Sequence, residues 1–171
     1  VWFVGVREAR YSRISNSTIS YNGGDDYWSR GVLNYQKHLV LDIVNSTIVE
    51  NFNNYNGFSS TGSGQVPGAI GIMNAENTFG RIPITTRLKN TIVANNRLSP
   101  HMLGAGAGKL PADIGTTISS SGYHGTHVNE FVNLGGNLIG SPLSEWRCNW
   151  SSGCSGYHWV SGWDGEGLVN V

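Results

Sequence analysis

The chain has 171 residues, 39% of them hydrophobic, with 11 basic and 11 acidic side chains and no net charge at pH 7. That length suits one domain, and the missing basic excess opposes a nucleic-acid role, which needs a positive footprint. Charged residues are only 13%, which opposes disorder, and no apolar run reaches the roughly 18 residues of a membrane-spanning helix. The 24 glycines, with frequent Asn, Ser and Thr, indicate a turn-rich all-β chain.

The chain opens on Val1-Trp2-Phe3-Val4-Gly5-Val6, an apolar strand-like segment that serves either as a first rung or as an edge able to pair with another molecule. It starts without Met or a signal-peptide pattern, as a processed or excised piece would. One phrase then recurs three times: Ser15-Asn16-Ser17-Thr18-Ile19-Ser20-Tyr21-Asn22, Val44-Asn45-Ser46-Thr47-Ile48-Val49-Glu50-Asn51, and Leu88-Lys89-Asn90-Thr91-Ile92-Val93-Ala94-Asn95. Each has Thr-Ile at its centre, so Ile19, Ile48 and Ile92 are expected in one column. A short β-branched run closed by Asn reads as a strand ending in a turn, and no helical stripe fits. The copies are unequally spaced, as expected for a constant core turn with variable loops.

A second phrase, Gly31-Val32-Leu33-Asn34, returns as Gly71-Ile72-Met73-Asn74 between copies two and three. Each turn of chain thus offers at least two strands in the same order, which predicts a β-solenoid with parallel rungs about 4.7–4.9 Å apart. Asn22, Asn51 and Asn95 then form an amide ladder, as stacked Asn do, or each merely accepts a left-handed turn. On the same alignment Asp42 has Thr86 as its counterpart, so no carboxylate column runs there.

The loops carry the remaining candidates. Asp25 and Asp26 lie beside Tyr27, Trp28 and Arg30 in a Gly-rich loop, where they begin a calcium site or form a solvated ion pair. Residues 52–67 are a long polar excursion with Tyr55 and Phe58, of a length usually functional or mobile. Gly104-Ala105-Gly106-Ala107-Gly108 lacks the Gly-Lys-Ser/Thr ending of a phosphate loop. Ala112-Asp113-Ile114-Gly115 reads as a short strand, and His124 and His127 lack a third metal ligand. Phe131 to Gly140 is the last clear rung. The tail, 141–171, holds Trp146, Trp150, Trp159 and Trp163. These rings and Trp28 either stack on sugars, bury in a protein contact, or, in the tail, cover the open solenoid end. Cys148 and Cys154 are placed for a local disulfide or stay as free thiols. Asn16, Asn45 and Asn149 head glycosylation sequons; at the first two, Asn-Ser-Thr is also good bend chemistry.

The ordered set Asn-Ser-Thr-Ile, Gly-Ile-x-Asn, Asn-Thr-Ile-Val-Ala-Asn-Asn, Ala-Asp-Ile and Gly-Gly-Asn-Leu-Ile-Gly resembles secreted right-handed parallel β-helix proteins, in particular the choice-of-anchor type bacterial surface group. That group usually ends on Gly-Tyr-Asn-Leu-Ile-Gly; here Gly136 replaces the Tyr. The resemblance covers residues 12–140 and departs in the tail, where no anchor segment stands. It implies an extracellular or cell-surface protein on a fold that hosts lyases, hydrolases, adhesins and fibres. The expectation is an all-β, right-handed single-stranded parallel β-helix over 1–140, of about five to seven rungs, followed by a Trp/Cys-rich segment over 141–171 that packs on or caps it. The leading function is a structural or adhesive building block without catalytic residues or a required cofactor, self-associating end to end. The alternative is a carbohydrate-active enzyme (polysaccharide lyase or glycoside hydrolase) or a carbohydrate-binding fragment.

Overall fold

The computed structural model describes residues 1–4, 10–24, 31–35, 39–53, 71–75, 84–98, 113–119, 130–140, 144–149 and 153–159. These residues form strands joined by bends, with no helix among them.

The bends explain the strand lengths. Asn16, Asn45 and Asn90 have φ of 51, 50 and 49°, and Tyr21, Glu50 and Asn95 have φ of 55, 56 and 57°. Each left-handed residue turns the chain sharply and stops the strand before it. Asn takes this conformation more readily than other non-glycine residues. The fourth turn makes its bend with Gly135 and Gly136, at φ 91 and 70°.

Between bends the chain repeats one itinerary. The first turn holds β1 (Trp2–Val4), β2 (Arg10–Ser15), β3 (Thr18–Ser20) and β4 (Gly23–Gly24). The second holds β5 (Val32–Tyr35), β6 (Leu39–Val44), β7 (Thr47–Val49) and β8 (Phe52–Asn53). The third holds β9 (Ile72–Ala75), β10 (Thr85–Lys89), β11 (Ile92–Ala94) and β12 (Arg97–Leu98). The fourth holds β13 (Ile114–Ser119), β14 (Glu130–Asn133) and β15 (Leu138–Ile139); β16 (Ser144–Asn149) and β17 (Gly153–Trp159) follow.

Like strands stack into four sheets: sheet A in the order β1-β5-β9-β13-β16-β17, sheet B β14-β10-β6-β2, sheet C β15-β11-β7-β3, and sheet D β12-β8-β4. Every pairing is parallel except β16 with β17, an antiparallel hairpin. This all-β arrangement of parallel strands in stacked sheets is consistent with a β-solenoid. The described strands give four turns, and β16 adds a fifth level in sheet A alone.

Inward residues from three sheets fill the centre. Val32, Ile72 and Ile114 stack in sheet A, Ile14, Ile43 and Leu88 in sheet B, and Ile19, Ile48, Val93 and Ile139 in sheet C. They belong to one buried cluster, each side chain contributing about 1.5–3 kcal/mol.

The third copy corrects the sequence alignment. Ile48 pairs with Val93, while Ile92 pairs with Thr47 and lies 40% exposed. The register follows the Asn bend: Asn45-Ser46-Thr47-Ile48 lies against Asn90-Thr91-Ile92-Val93. One residue of slip reverses every side chain between core and solvent, so the buried residue had to be Val93. The same shift makes Arg87, not Thr86, the counterpart of Asp42. The second phrase stacks as expected, with Val32, Leu33 and Asn34 opposite Ile72, Met73 and Asn74.

Candidate functional site: amide ladders, a capping acid and one charged sheet face

A buried amide ladder runs beside the core, with a membership different from that expected. Asn22 donates from both its backbone N–H and Nδ2 to Asn51 Oδ1, each at 3.1 Å. Asn51 donates in the same way to Asn96 Oδ1, at 3.1 and 2.8 Å. Asn96, not Asn95, is the third member; Asn95 is exposed and takes the left-handed bend. Of the two readings, the ladder holds for Asn22 and Asn51 and the left-handed bend for Asn95 alone; Tyr21 and Glu50 take that bend in the first two turns. Asn51 and Asn96 also donate to the Ile19 and Ile48 carbonyls, at 3.1 Å each. The first three turns are thus each bonded to the next through a side chain as well as through the backbone.

Asp113 takes the next place in this ladder. Its Oδ1 accepts from Asn96 N and Nδ2, at 2.9 and 2.8 Å, and the residue is 2% exposed. It enters from sheet A, just ahead of β13. Its column neighbours are Gly31 and Gly71, and the reason is steric. A Cβ at Gly31 would meet Asn51 Nδ2 at 2.8 Å; one at Gly71 would meet Asn96 Nδ2 at 2.7 Å and the Asp113 backbone oxygen. In the first turns glycine leaves room for the neighbouring Asn. At Asp113 the carboxylate itself occupies the acceptor place. A Cβ at Gly140 would come within 2.8 Å of Asp113 Oδ2, so that rung accommodates the acid in turn.

Two further columns lie at the other bend. Asn90 Nδ2 donates to Asn45 Oδ1 at 3.2 Å, and Asn45 Nδ2 to Asn16 Oδ1 at 3.3 Å, an exposed second ladder. One residue later, Ser17, Ser46 and Thr91 turn their hydroxyls onto the Ser15, Val44 and Lys89 carbonyls. Asn137 continues this column, its Oδ1 accepting from Thr91 N at 2.9 Å. The sequon residues Asn16 and Asn45 are therefore exposed, but unequal: the Asn45 amide nitrogen already donates along the ladder. Inside, Asn34 Nδ2 donates to Thr86 Oγ1 at 3.0 Å, Thr86 Oγ1 to Asn74 Oδ1 at 2.6 Å, and Asn74 Nδ2 to the Glu130 carbonyl at 2.9 Å. This buried relay ties sheets A and B across three turns.

The outer face of sheet B carries the charge. Arg13, Asp42 and Arg87 form one column on successive rungs. Arg87 grips Asp42 with two bonds, Nε to Oδ1 at 2.5 Å and Nη2 to Oδ2 at 2.8 Å. The Tyr11 hydroxyl donates to Asp42 Oδ2 at 2.5 Å, and the Arg87 guanidinium lies 5.8 Å from the Tyr11 ring centre. The Arg87 bond holds the Asp42 carboxyl below its usual range, against the opposing effect of burial. The bond to Asp42 pushes the Tyr11 phenol upward. Chemically, this face offers an aromatic ring, a bidentate ion pair and the second guanidinium of Arg13. A separate exposed pair joins Arg97 to Glu50 at 3.1 Å.

Other sequence candidates are placed only in part. Asp25, Asp26, Trp28, Trp150 and Trp163 lie outside the described residues, as do Tyr27, Tyr55, Phe58, His124 and His127. Trp146, Asn149 and Trp159 lie on the β16–β17 hairpin, opposite Tyr157, Gly153 and Ser144 respectively. The same hairpin sets Cys148 opposite Cys154. Among the described residues no group of three or more His, Cys, Asp and Glu is placed to hold a metal ion, and no helix is long and apolar enough to cross a membrane. No protein-family model, curated protein or solved structure matches the chain, so its class rests on its own geometry.

Proposed function

We propose that the chain is an extracellular structural or adhesive building block, a right-handed parallel β-helix of the secreted surface type, used for presentation and assembly. One observation carries this reading: the buried polar side chains bond from rung to rung. Asn51, Asn96, Asp113, Thr91 and Asn137 all serve the stack. Catalytic chemistry instead needs polar groups converging on a place a substrate can reach. Right-handedness is supported by the strong general bias of parallel strand crossovers. A panel of acidic and neutral polysaccharides, assayed for new reducing ends and for unsaturated products, tests the reading. No turnover is expected; turnover that Arg87→Ala or Asp42→Asn abolishes would sink it.

The second reading, a carbohydrate-binding fragment, is favoured by one feature. Tyr11, Arg13 and Arg87 lie together on a sheet face, an arrangement suited to a flat acidic sugar. Retention on immobilised acidic polysaccharide, lost in Tyr11→Ala and Arg13→Ala, would support it.

A further inference from the structure

The charges on the outer face of sheet B are unequal in what they bond to. Arg13, Asp42 and Arg87 form one outward column, and Lys89 stands two residues beyond Arg87 on the same strand. Arg87 and Asp42 satisfy each other through two bonds, and the Tyr11 hydroxyl donates to the same carboxylate. Arg13 and Lys89 are both exposed. Neither side chain has an ion-pair or hydrogen-bond partner among the described residues. Across β2, β6 and β10 the cations Arg13, Arg87 and Lys89 thus share a face with the single acid Asp42. Glu130, the next acid, lies on β14 in the column of Thr85.

The spacing sets the size of what this face can hold. Arg13 and Lys89 are two rungs apart, about 10 Å, and two residues apart along the strand, about 7 Å, so their backbones are separated by about 12 Å. A single sugar acid cannot reach both. An extended polymer of acidic sugars can, lying aslant across the three strands. The Tyr11 ring, 58% exposed and two residues before Arg13, offers such a chain a sugar-stacking surface. Asp42 lies between the two free cations. It repels an anion passing over it, and it fills the Arg87 fork that a ligand carboxylate would otherwise take.

We infer that this face binds an acidic polysaccharide through Arg13 and Lys89, and that Asp42 is a built-in competitor that keeps Arg87 from the ligand. The inference rests on the carbohydrate-binding reading above and deepens it: it adds the second anchoring cation, the span of the ligand and the residue that restrains affinity. The group recognised is a repeating anion on sugar rings, a uronate carboxylate or a sulfate ester.

Calorimetric titration of the 171-residue chain near neutral pH and at low salt tests this. The probes are galacturonate, oligogalacturonates of increasing length, dextran sulfate and a DNA duplex. The monomer is expected not to bind. One of the two polymers is expected to bind, and which one binds names the anion; with oligogalacturonates, affinity rises until the chain spans both cations. Lys89→Gln should weaken binding. Asp42→Asn keeps the side-chain shape and frees Arg87; it should bind up to about fivefold more tightly, the scale of one exposed ion pair, with an unchanged circular dichroism spectrum. Glu50→Gln makes the same change of charge and frees Arg97 instead; it should leave affinity unchanged. An Asp42→Asn variant that binds no tighter, a Glu50→Gln variant that gains as much, or no loss in Lys89→Gln would overturn the inference and leave carbohydrate binding standing. No binding of either polymer, by the wild type or by Asp42→Asn, would overturn both. Equal affinity for the DNA duplex would show a general response to polyanions and overturn the inference.

Discussion

Replacing Asn96 by Ala, and separately Asn95 by Ala, distinguishes two neighbours with opposite jobs. Asn96 is 1% exposed. Its Oδ1 accepts from Asn51 N and Nδ2, and its Nδ2 donates to the Ile48 carbonyl, the Ala94 carbonyl and Asp113 Oδ1. Truncation to Ala leaves the Asn51 N–H without its acceptor, takes one of the two acceptors of Asn51 Nδ2 and removes a donor from the buried Asp113. Each buried group so stranded costs about 1–3 kcal/mol. The expected loss is therefore about 3–5 kcal/mol, a large share of the 5–15 kcal/mol typical of a folded domain. Asn95 is exposed and only holds the bend, at φ 57°. Ala there costs about 1–2 kcal/mol for the left-handed conformation. Urea unfolding followed by far-ultraviolet circular dichroism reads both. Equal losses, or a larger loss at Asn95, would refute the ladder as described.

Three more outcomes are expected. Gly71→Ala should destabilise by more than about 2 kcal/mol in the same urea assay, because its Cβ would strike the Asp113 backbone oxygen and Val93 Cγ1, neither of which can swing aside; a neutral result would mean the rungs are less tightly nested. Asp42 is held low by Arg87, so the bridge contributes fully above the unfolded carboxylate value of about 3.9 and is lost as pH falls through the lower folded value. Urea midpoints from pH 6 to pH 2 should therefore fall less steeply in Asp42→Asn than in the wild type, and parallel curves would contradict the pairing. Facing positions on adjacent strands lie within disulfide reach, so Cys148 and Cys154 should be protected from alkylation until reductant is added, as mass spectrometry would report.

The repeat was legible because stacking needs the same residue type at the same place on each turn. Both phrases and the strand–bend rhythm could be read directly. The register of the third copy could not be read from Thr-Ile, since Thr is acceptable both on the outward side of a strand, as at Thr47, and inside the bend, as at Thr91. The reliable signal was Asn paired with Asn at one fixed spacing: Asn16 with Asn22, Asn45 with Asn51, Asn90 with Asn96. That spacing marks a left-handed bend followed by a ladder amide, whatever the strand between them contains.

In the sequence alone Asp113 reads only as part of a strand. What its column held, Gly31 then Gly71, was visible as the first letter of the second phrase. An acid replacing glycine there signalled that the ladder changes chemistry at that turn. The Asp42–Arg87 pair was hidden by the misplaced register alone.

In-register stacking is measured most directly by the distance between Thr18, Thr47 and Ile92, an outward column on three successive turns. With Cys148 and Cys154 replaced by Ser, spin labels are placed pairwise at these positions in chain diluted with unlabelled protein. Adjacent rungs put backbones about 4.8 Å apart and alternate rungs about 10 Å apart, so both pairs should show strong dipolar broadening, greatest for 18 with 47. Spectra in which either pair matches the sum of its singly labelled chains would contradict the stack.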